Sequence, residues 1–359
     1  MTGNIEIKSL LFNELQTKLQ GLAQPSYRAK QIMDWLYEKR ADGFEQMSDL
    51  PQALRAQLAE NFRIDKLGVA RVLGSRDTTL KFLFRLSDGN LIESVLIPAS
   101  PALYGQKSDR RTACVSTQVG CAYGCKFCAS GLDGFSRNLR ANEIVDQIMA
   151  IESHLGGSEK IDNIVFMGMG EPLANFDNVM RAIRILNGPW GLGIGARHIT
   201  VSTSGLAPQI IKLADEPLQI RLAISLHGAT GEVRNQIMPI NRRYNLETLL
   251  SACDYYVACK KQRLSFEYIL IADVNDSDEQ ARLLARHAHR LAAKVNLIPY
   301  NTVQGLPWSR PSQNRQEKFL SLLHRHGIGA TLRREKGGDI DAACGQLRLQ
   351  TKREEFATA

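Results

Sequence analysis

The chain has 359 residues, of which 44% are hydrophobic and 23% charged, a composition typical of a globular protein with a large buried core. This composition excludes disordered, collagen-like and coiled-coil proteins, and no run approaches the ~18 consecutive apolar residues that a membrane span requires. Lys and Arg number 45 against 37 Asp and Glu residues, and the net charge of +8 favours a polyanionic partner such as nucleic acid.

The first hundred residues predict a helical module followed by β-strands. Apolar residues at helical spacing predict helices over residues 26–40 and 51–60. Short β-like runs occupy residues 66–97, and the sequence Ser-Asp-Gly-Asn at 87–90 predicts a hairpin turn between two of them. We therefore expect an accessory domain at residues 1–100, with its boundary near residues 101–107.

Strand-like and helix-like segments alternate through the rest of the chain. Strands are predicted at residues 112–116, 163–167, 198–202, 221–225, 265–271, 295–299 and 330–334, with amphipathic helices at 141–154, 177–186, 246–260, 278–293 and 316–326. Such alternation predicts parallel strands with crossover helices. About six repeats are too few for an eightfold barrel. The expected fold class is α/β, a partial (β/α)6 barrel at 101–345 with a flexible tail at 346–359.

Unusual residues follow one predicted strand after another. In chain order these segments are GCAYGCKFCASG, GMGEP, STSG, SLHG, the pair Tyr300–Asn301, and GGDIDAACGQ. Chemistry in parallel α/β folds gathers at the C-terminal ends of the strands. We therefore expect these segments to converge on one active site at the mouth of the barrel.

Three of the seven cysteines, Cys121, Cys125 and Cys128, crowd into eight residues. Thiolates bind iron–sulfur clusters and zinc, and three ligands leave one iron of a 4Fe–4S cluster open to a small molecule. A structural zinc site usually shows paired Cys-x2-Cys units, and Cys253 and Cys259 lack that spacing. The pattern favours an iron–sulfur cluster. The alternative is a zinc-dependent RNA-binding protein, and metal analysis would distinguish the two.

The cysteine spacing, with Phe127 before the last cysteine, resembles the radical S-adenosylmethionine (SAM) superfamily over residues 111–344. The resemblance implies one 4Fe–4S cluster held by Cys121, Cys125 and Cys128, with SAM on the open iron, where it is cleaved to a 5′-deoxyadenosyl radical. GMGEP is similar to the glycine-rich segment that contacts SAM in this superfamily. The positions that match SAM contacts are Gly170, Glu171, Ser202, Ser225, Leu226, His227 and Asn301.

A closer resemblance, to the RlmN/Cfr family of RNA adenine methyltransferases, runs nearly end to end. It rests on PSYRAKQI, LIESVLIP, CVSTQVGC, GFSRNL and GGDIDAACGQL. It implies methylation of carbon 2 of adenosine in 23S rRNA, at the peptidyl transferase centre, and in tRNA anticodon loops. It also implies two SAM molecules per turnover and an electron donor such as flavodoxin or ferredoxin. The N-terminus lacks a basic start followed by an apolar run, so we expect a cytoplasmic protein, and nothing in the sequence requires more than a monomer.

The same resemblance gives roles to two further cysteines and a carboxylate. Cys344 accepts a methyl group from SAM, and the carbon of this S-methylcysteine, after hydrogen abstraction, adds to the adenine as a covalent protein–RNA intermediate. Cys114 then attacks the sulfur of Cys344, which forms a transient disulfide and releases the methylated RNA. Glu93 matches the proton acceptor. Thiol–disulfide exchange requires the two sulfurs to meet, so we expect Cys114 and Cys344 to be neighbours.

Two alternative enzymes share parts of this pattern. A Cfr-like enzyme methylates carbon 8 of adenine with the same cysteines, although GMGEPL and the IPYN segment favour carbon 2. A glycyl-radical activating enzyme needs neither Cys114 nor Cys344. For either RNA methyltransferase, we expect the accessory domain at residues 1–100 to bind RNA. Basic residues near the expected mouth of the barrel are candidates to hold phosphates: Arg110, Arg111, Arg137, Arg140, Arg242, Arg243, Arg333, Arg334 and Lys336.

Overall fold

The computed structural model describes residues 5–98, 110–132, 134–156, 159–303, 305–333, 336–342 and 346. The predicted domain boundary at 101–107, the residue Cys344 and the tail after residue 346 lie outside these ranges.

The N-terminal module is mainly helical. Its elements are β1 (Ile5–Glu6), α1 (Phe12–Gly21), α2 (Arg28–Met33), α3 (Gln52–Asn61) and β2 (Phe62–Arg63), with β1 and β2 paired in parallel. The predicted helix at 26–40 is present as α2 followed by a π-helical turn at Asp34–Glu38. Pro51 directly precedes α3, where its missing N–H leaves no helical hydrogen bond unmade.

An antiparallel meander joins this module to the barrel. Its strands are β3 (Gly68–Gly74), β4 (Leu80–Arg85) and β5 (Leu91–Pro98), and the turn predicted at 87–90 connects the last two. β5 pairs antiparallel with β6 (Arg111–Cys114), the first strand of the barrel. The meander and the barrel therefore share one hydrogen-bonded sheet of ten strands in the described part of the chain.

A separate antiparallel ribbon follows β6 and consists of β7 (Gln118–Gly120) and β8 (Phe135–Asn138). The barrel then continues with the parallel strands β9 (Asn163–Phe166), β10 (Ile199–Thr203), β11 (Arg221–Ser225), β12 (Ser265–Leu270), β13 (Lys294–Pro299) and β14 (Ala330–Leu332). The helices between them are α4 (Ala141–His154), α5 (Phe176–Asn187), α6 (Ala207–Asp215), α7 (Gly231–Ile237), α8 (Leu246–Lys260), α9 (Asp278–Arg290) and α10 (Gln313–Arg325).

From β6 through β9 to β14, the barrel strands neighbour one another in chain order, which confirms the partial (β/α)6 barrel. The seven-residue helix α7 was not predicted, because it is too short to show helical periodicity. No helix in the described ranges combines the length and apolarity that crossing a bilayer requires.

The N-terminal module packs on α4 through buried polar contacts. The Lys8 ammonium lies 2.7 Å from both carboxylate oxygens of Asp146, and both side chains are buried. The Tyr37 hydroxyl donates to the carbonyl of Lys8 at 2.8 Å, and Arg40 pairs with Glu152. These contacts fix the module against the outer face of the barrel.

Candidate active site

A cavity lies at the C-terminal ends of the barrel strands. Four of the six segments singled out in the sequence line it: the cysteine loop, the GMGEP segment after β9, the STSG segment at β10 and the SLHG segment at β11. The predicted site residues in its wall are Cys121, Cys125, Cys128, Gly170, Glu171, Ser202, Ser225 and His227.

The cysteine loop is carried by the ribbon of β7 and β8 and is fixed to the barrel by backbone contacts. Gly120 has φ +73°, and a Cβ there would lie 2.0 Å from the carbonyl oxygen of Gly134, so only glycine fits this crossing. The N–H of Lys126 donates to the carbonyl of Ile237 at 2.8 Å, and the Trp308 indole donates to the carbonyl of Lys126 at 2.6 Å. The loop therefore has a defined place against the barrel.

The three thiols of this loop are half-buried and interact electrostatically. Burial, with a smaller effect of Cys128, raises the pKa of the Cys121 thiol to about 12, and burial raises that of Cys125 well above its ordinary value. Thiols in this setting ionise only when a cationic centre compensates their charge, which fits an iron–sulfur group. Within the described ranges no group of three or more His, Cys, Asp or Glu side chains converges on one point as a metal site.

The GMGEP segment passes close to the strand-and-ribbon backbone. A Cβ on Gly168 would lie 2.7 Å from the carbonyl of Val115, and one on Gly170 would lie 2.5 Å from the Cβ of Gln118. Gly170 also has φ +97°, which other residues rarely adopt. Glycine at both positions is therefore what lets this segment reach the cavity wall.

Glu171 is buried in the same wall and organises two strand ends. Its carboxylate accepts the N–H and hydroxyl of Ser204 at 2.7 and 2.8 Å, and the N–H of Leu173 at 3.1 Å. Burial raises the pKa of the Glu171 carboxyl above its ordinary value, and the hydrogen bonds from Ser204 oppose that rise. A buried carboxylate of this kind attracts a ligand ammonium group.

The remaining predicted residues in the wall come from β10 and β11. The hydroxyls of Ser202 and Ser225 lie 3.4 Å apart. The Nδ1 of His227 accepts the N–H of Ile269 at 3.0 Å, which leaves the ring proton on Nε2, and its ring packs edge-on against Phe127. Burial lowers the pKa of His227 to about 3, so the imidazole is neutral at physiological pH.

Two predicted cofactor contacts lie outside the cavity lining. The Leu226 side chain points into the main core, and its backbone N–H donates to the carbonyl of Glu267 at 3.0 Å. The side-chain oxygen of Asn301 accepts from Arg310 at 2.9 Å. Neither side chain lines the cavity with the other predicted contacts.

The predicted catalytic residues Glu93 and Cys114 lie on the same face of the sheet as the cavity-lining side chains, because Cys114 pairs with Val165, which shares that face with Met167. Side chains alternate along a strand, so Glu93 shares a face with Val95, which pairs with Cys114 across β5 and β6. Val95 and Cys114 belong to a small apolar cluster with Met169 and Ala342. Met167 packs against this cluster and also lines the cavity, so the two regions are adjacent. Cys344 itself lies outside the described residues.

Sequence reasoning missed two charged residues at the site. Arg234 is fully buried on α7, and its guanidinium donates to the carbonyls of Ser204 at 3.0 Å, Ser225 at 3.2 Å and Leu226. It therefore holds the ends of β10 and β11 together beneath the cavity. Glu267 on β12 lines the cavity and accepts the Asn296 amide at 2.7 Å. The alternation of polar and apolar residues in SFEYIL is the signal that would have found Glu267.

Comparison with known proteins identifies relatives over more than nine-tenths of the chain. Residues 115–285 match the model of the radical SAM superfamily, and residues 5–64 match that of the ribosomal RNA large subunit methyltransferase N-terminal domain. The chain is 55% identical to a probable dual-specificity RNA methyltransferase RlmN of Akkermansia muciniphila, covering 91% of each protein. It is 47% identical to a protein of the same description from Staphylococcus aureus, over 97% of this chain and 94% of that one.

A crystal structure of a radical SAM methyltransferase from Sphaerobacter thermophilus has the same fold. It superposes with a TM-score of 0.89 at 45% identity, and the alignment covers 96% of this chain and 99% of that one.

Proposed function

The chain belongs to the RlmN family of radical SAM methyltransferases, and on that basis we propose that it methylates carbon 2 of adenosine in 23S rRNA and in tRNA. The proposed sites are the peptidyl transferase centre of the rRNA and the anticodon loop of the tRNA. The observation that carries the proposal is that Glu93 and Cys114 share one sheet face beside the cavity, and that Ala342 packs against this face. Ala342 precedes Cys344 by two residues in the sequence.

Family membership implies a 4Fe–4S cluster and SAM, and we assign their binding to the cavity. The thiols of Cys121, Cys125 and Cys128 would hold the cluster, and Glu171 would receive the ammonium of SAM. When bound, these groups supply a carbon-centred radical that abstracts hydrogen. The neutral Nε2–H of His227 and the hydroxyls of Ser202 and Ser225 would serve the ribose and adenine of SAM as donors or acceptors.

The chain's own residues then perform covalent catalysis. The Cys344 thiolate would take the methyl group of one SAM, and after hydrogen abstraction, with a second SAM consumed, the sulfur-bound carbon would bond to adenine C2. Glu93 would accept the proton that C2 loses, and the unpaired electron of the adduct would return to the oxidised iron–sulfur group. The Cys114 thiolate would bond to the Cys344 sulfur as the bond between that sulfur and the methylene carbon breaks. The methylene carbon would keep the electron pair of that bond and take up a proton, which leaves a disulfide and methylated RNA.

RNA recognition requires that the target adenine leave its stack, because a stacked base cannot reach a cavity at a barrel mouth. Arg242 and Arg243, which follow α7 near the cysteine loop, are exposed and would attract phosphates. Arg137 binds Asp88 at 2.6 Å and Glu143 at 2.8 and 2.9 Å, so its charge is already compensated. We place the enzyme in the cytoplasm as a monomer that receives electrons from a flavodoxin or ferredoxin.

The test is an anaerobic reaction of reconstituted enzyme with SAM, a reductant and a 23S rRNA fragment, analysed by mass spectrometry. Wild type is expected to yield 2-methyladenosine, and Cys114→Ala to accumulate a covalent protein–RNA adduct. Cys259→Ala is the matched control, since this exposed cysteine lies on α8 away from the cavity, and it should behave as wild type. Formation of 8-methyladenosine would transfer the assignment to carbon 8. SAM cleavage with unmodified RNA would refute the proposal.

A further inference from the structure

The segment that leads to Cys344 is held by the turn between β3 and β4. The Ser75 hydroxyl and the N–H of Arg76 both donate to the Asp339 carboxylate. In the opposite direction, the N–H of Gly337 donates to the Asp77 carboxylate at 2.9 Å. The turn at residues 75–79 thus exchanges hydrogen bonds with the segment at residues 336–342 at two points, and we call this contact the hairpin clamp.

Lys81, just beyond this turn on β4, makes a third connection from inside the protein. Its ammonium lies 3.4 Å from a carboxylate oxygen of Glu93 and 3.4 Å from the carbonyl oxygen of Asp341. Lys81 and Glu93 are both buried, with 8% and 4% of their surface exposed. One buried cation therefore touches both the proposed proton acceptor and the backbone three residues before Cys344.

The sheet register explains why Lys81 can make both contacts. Lys81 pairs with Val95 and Leu83 pairs with Glu93 across β4 and β5, so Lys81 and Glu93 are diagonal neighbours on the same face. This is the face that also carries Cys114 and packs against Ala342. A buried ammonium is stable only when it is paired. The strand register provides that pairing, because it places the Glu93 carboxylate within reach of Lys81.

We propose that Lys81 is a positioning residue that holds the Glu93 carboxylate and the segment leading to Cys344 in a fixed relation, with the hairpin clamp fixing the outer end of that segment. The proposal rests on the roles of Glu93 and Cys344 in the proposed function. Lys81 does not touch the reacting atoms in this scheme. It sets where the Glu93 carboxylate lies relative to the backbone at Asp341.

The test compares Lys81→Met, Lys81→Arg and Asp339→Asn in the reconstituted holoenzyme, with Asp254→Asn as the control. Asp254 is a surface carboxylate that pairs with Arg290 on the far helices and touches neither the clamp nor the cavity. Hydrogen–deuterium exchange of the peptide spanning 336–342 reports how firmly the segment is held. The lifetime of the protein–RNA adduct in a single turnover reports proton removal and resolution.

Lys81→Met is expected to speed exchange of the 336–342 peptide and to lengthen the adduct lifetime by about tenfold or more, with Lys81→Arg within about threefold of wild type. Asp339→Asn should speed exchange with a smaller effect on the adduct, and Asp254→Asn should change neither. Wild-type exchange and adduct lifetime in Lys81→Met would overturn the proposal. If Lys81→Met does not fold, wild-type exchange of the 336–342 peptide in Asp339→Asn overturns the hairpin clamp. An adduct lifetime in Lys81→Arg as long as that in Glu93→Gln overturns the positioning role of the charge at residue 81. A wild-type enzyme that forms no adduct refutes the proposed function instead, while the exchange data still test the clamp.

Discussion

The buried ion pair between Lys8 and Asp146 gives a quantitative prediction for how the N-terminal module is attached. Lys8→Met removes the cation of the pair and leaves the Asp146 carboxylate of α4 buried without it. Breaking a buried pair in this way typically costs about 3–5 kcal/mol, whereas replacing both partners with apolar residues is often nearly neutral. We therefore expect Lys8→Met to lower the free energy of unfolding by about 3–5 kcal/mol at pH 8. The double variant Lys8→Met/Asp146→Leu should recover most of this loss.

The pH dependence of this loss follows from the carboxyl group. Burial, opposed by Lys8, already raises the pKa of Asp146 to about 6, and removing Lys8 raises it further. A raised pKa in the folded state means that the ionised form is disfavoured, so its cost is absent below the ordinary pKa near 3.8 and grows as the pH rises through the folded pKa. The destabilisation by Lys8→Met should therefore be smaller at pH 5 than at pH 8.

Urea unfolding followed by tryptophan fluorescence measures the effect, since Trp190 contacts the module with ring centroids 6.2 Å from Phe12 and 6.4 Å from Tyr37. The control is Lys212→Met, which removes an exposed ion pair with Asp177 and should cost less than about 1 kcal/mol. A loss below about 1 kcal/mol for Lys8→Met at pH 8, or equal losses at pH 5 and pH 8, would refute the reasoning.

Three further predictions concern the cavity wall. Gly170→Ala should lower the free energy of unfolding in urea by about 2–4 kcal/mol and weaken SAM binding. Gly89→Ala is the control, because Gly89 has a similar φ of +82° but open space around it, and it should lower the free energy of unfolding by less. Equal losses would contradict a steric clash of the introduced Cβ at residue 170 with Gln118. Arg234→Met should lower the melting temperature and reduce SAM affinity at least tenfold, because three buried carbonyls lose their donor; unchanged affinity would contradict this. Because burial lowers the pKa of His227 to about 3, this residue lowers the free energy of unfolding as the pH falls below 6.5. His227→Asn should therefore reduce the drop in unfolding free energy between pH 7 and pH 5 by about 2 kcal/mol, as measured by urea unfolding. Identical pH profiles of the variant and wild type would contradict this.

The part of the site that could be predicted from the sequence is the part encoded locally. The cysteine triplet and the GMGEP glycines are short motifs, and their convergence follows from the rule that parallel strands end at one edge of a sheet. Leu226 shows that a contiguous motif does not fix where each of its side chains points. The side chains of Ser225 and His227 line the cavity, whereas that of Leu226, which follows the end of β11, packs in the core.

The features that could not be predicted depend on contacts between distant segments. Arg234 in GEVRNQI has the sequence context of a surface charge, and its burial depends on carbonyls contributed by two other strand ends. Asn301 is engaged by Arg310, a pairing that no local pattern shows. The pairing of β5 with β6 joins the meander and the barrel into one sheet. No local pattern in either strand shows that the two are partners.

The hairpin clamp has a consequence for the order in which parts of the chain fold. Ser75 and Asp339 are hydrogen-bonded although they are 264 residues apart in the sequence, and most of the barrel lies between them. Contacts of such separation form late, because the intervening chain must be ordered before its ends can meet. Docking of the segment at residues 336–342 therefore requires that most of the barrel has already folded. The contact of the Lys81 ammonium with the carbonyl of Asp341 forms only once this segment has docked.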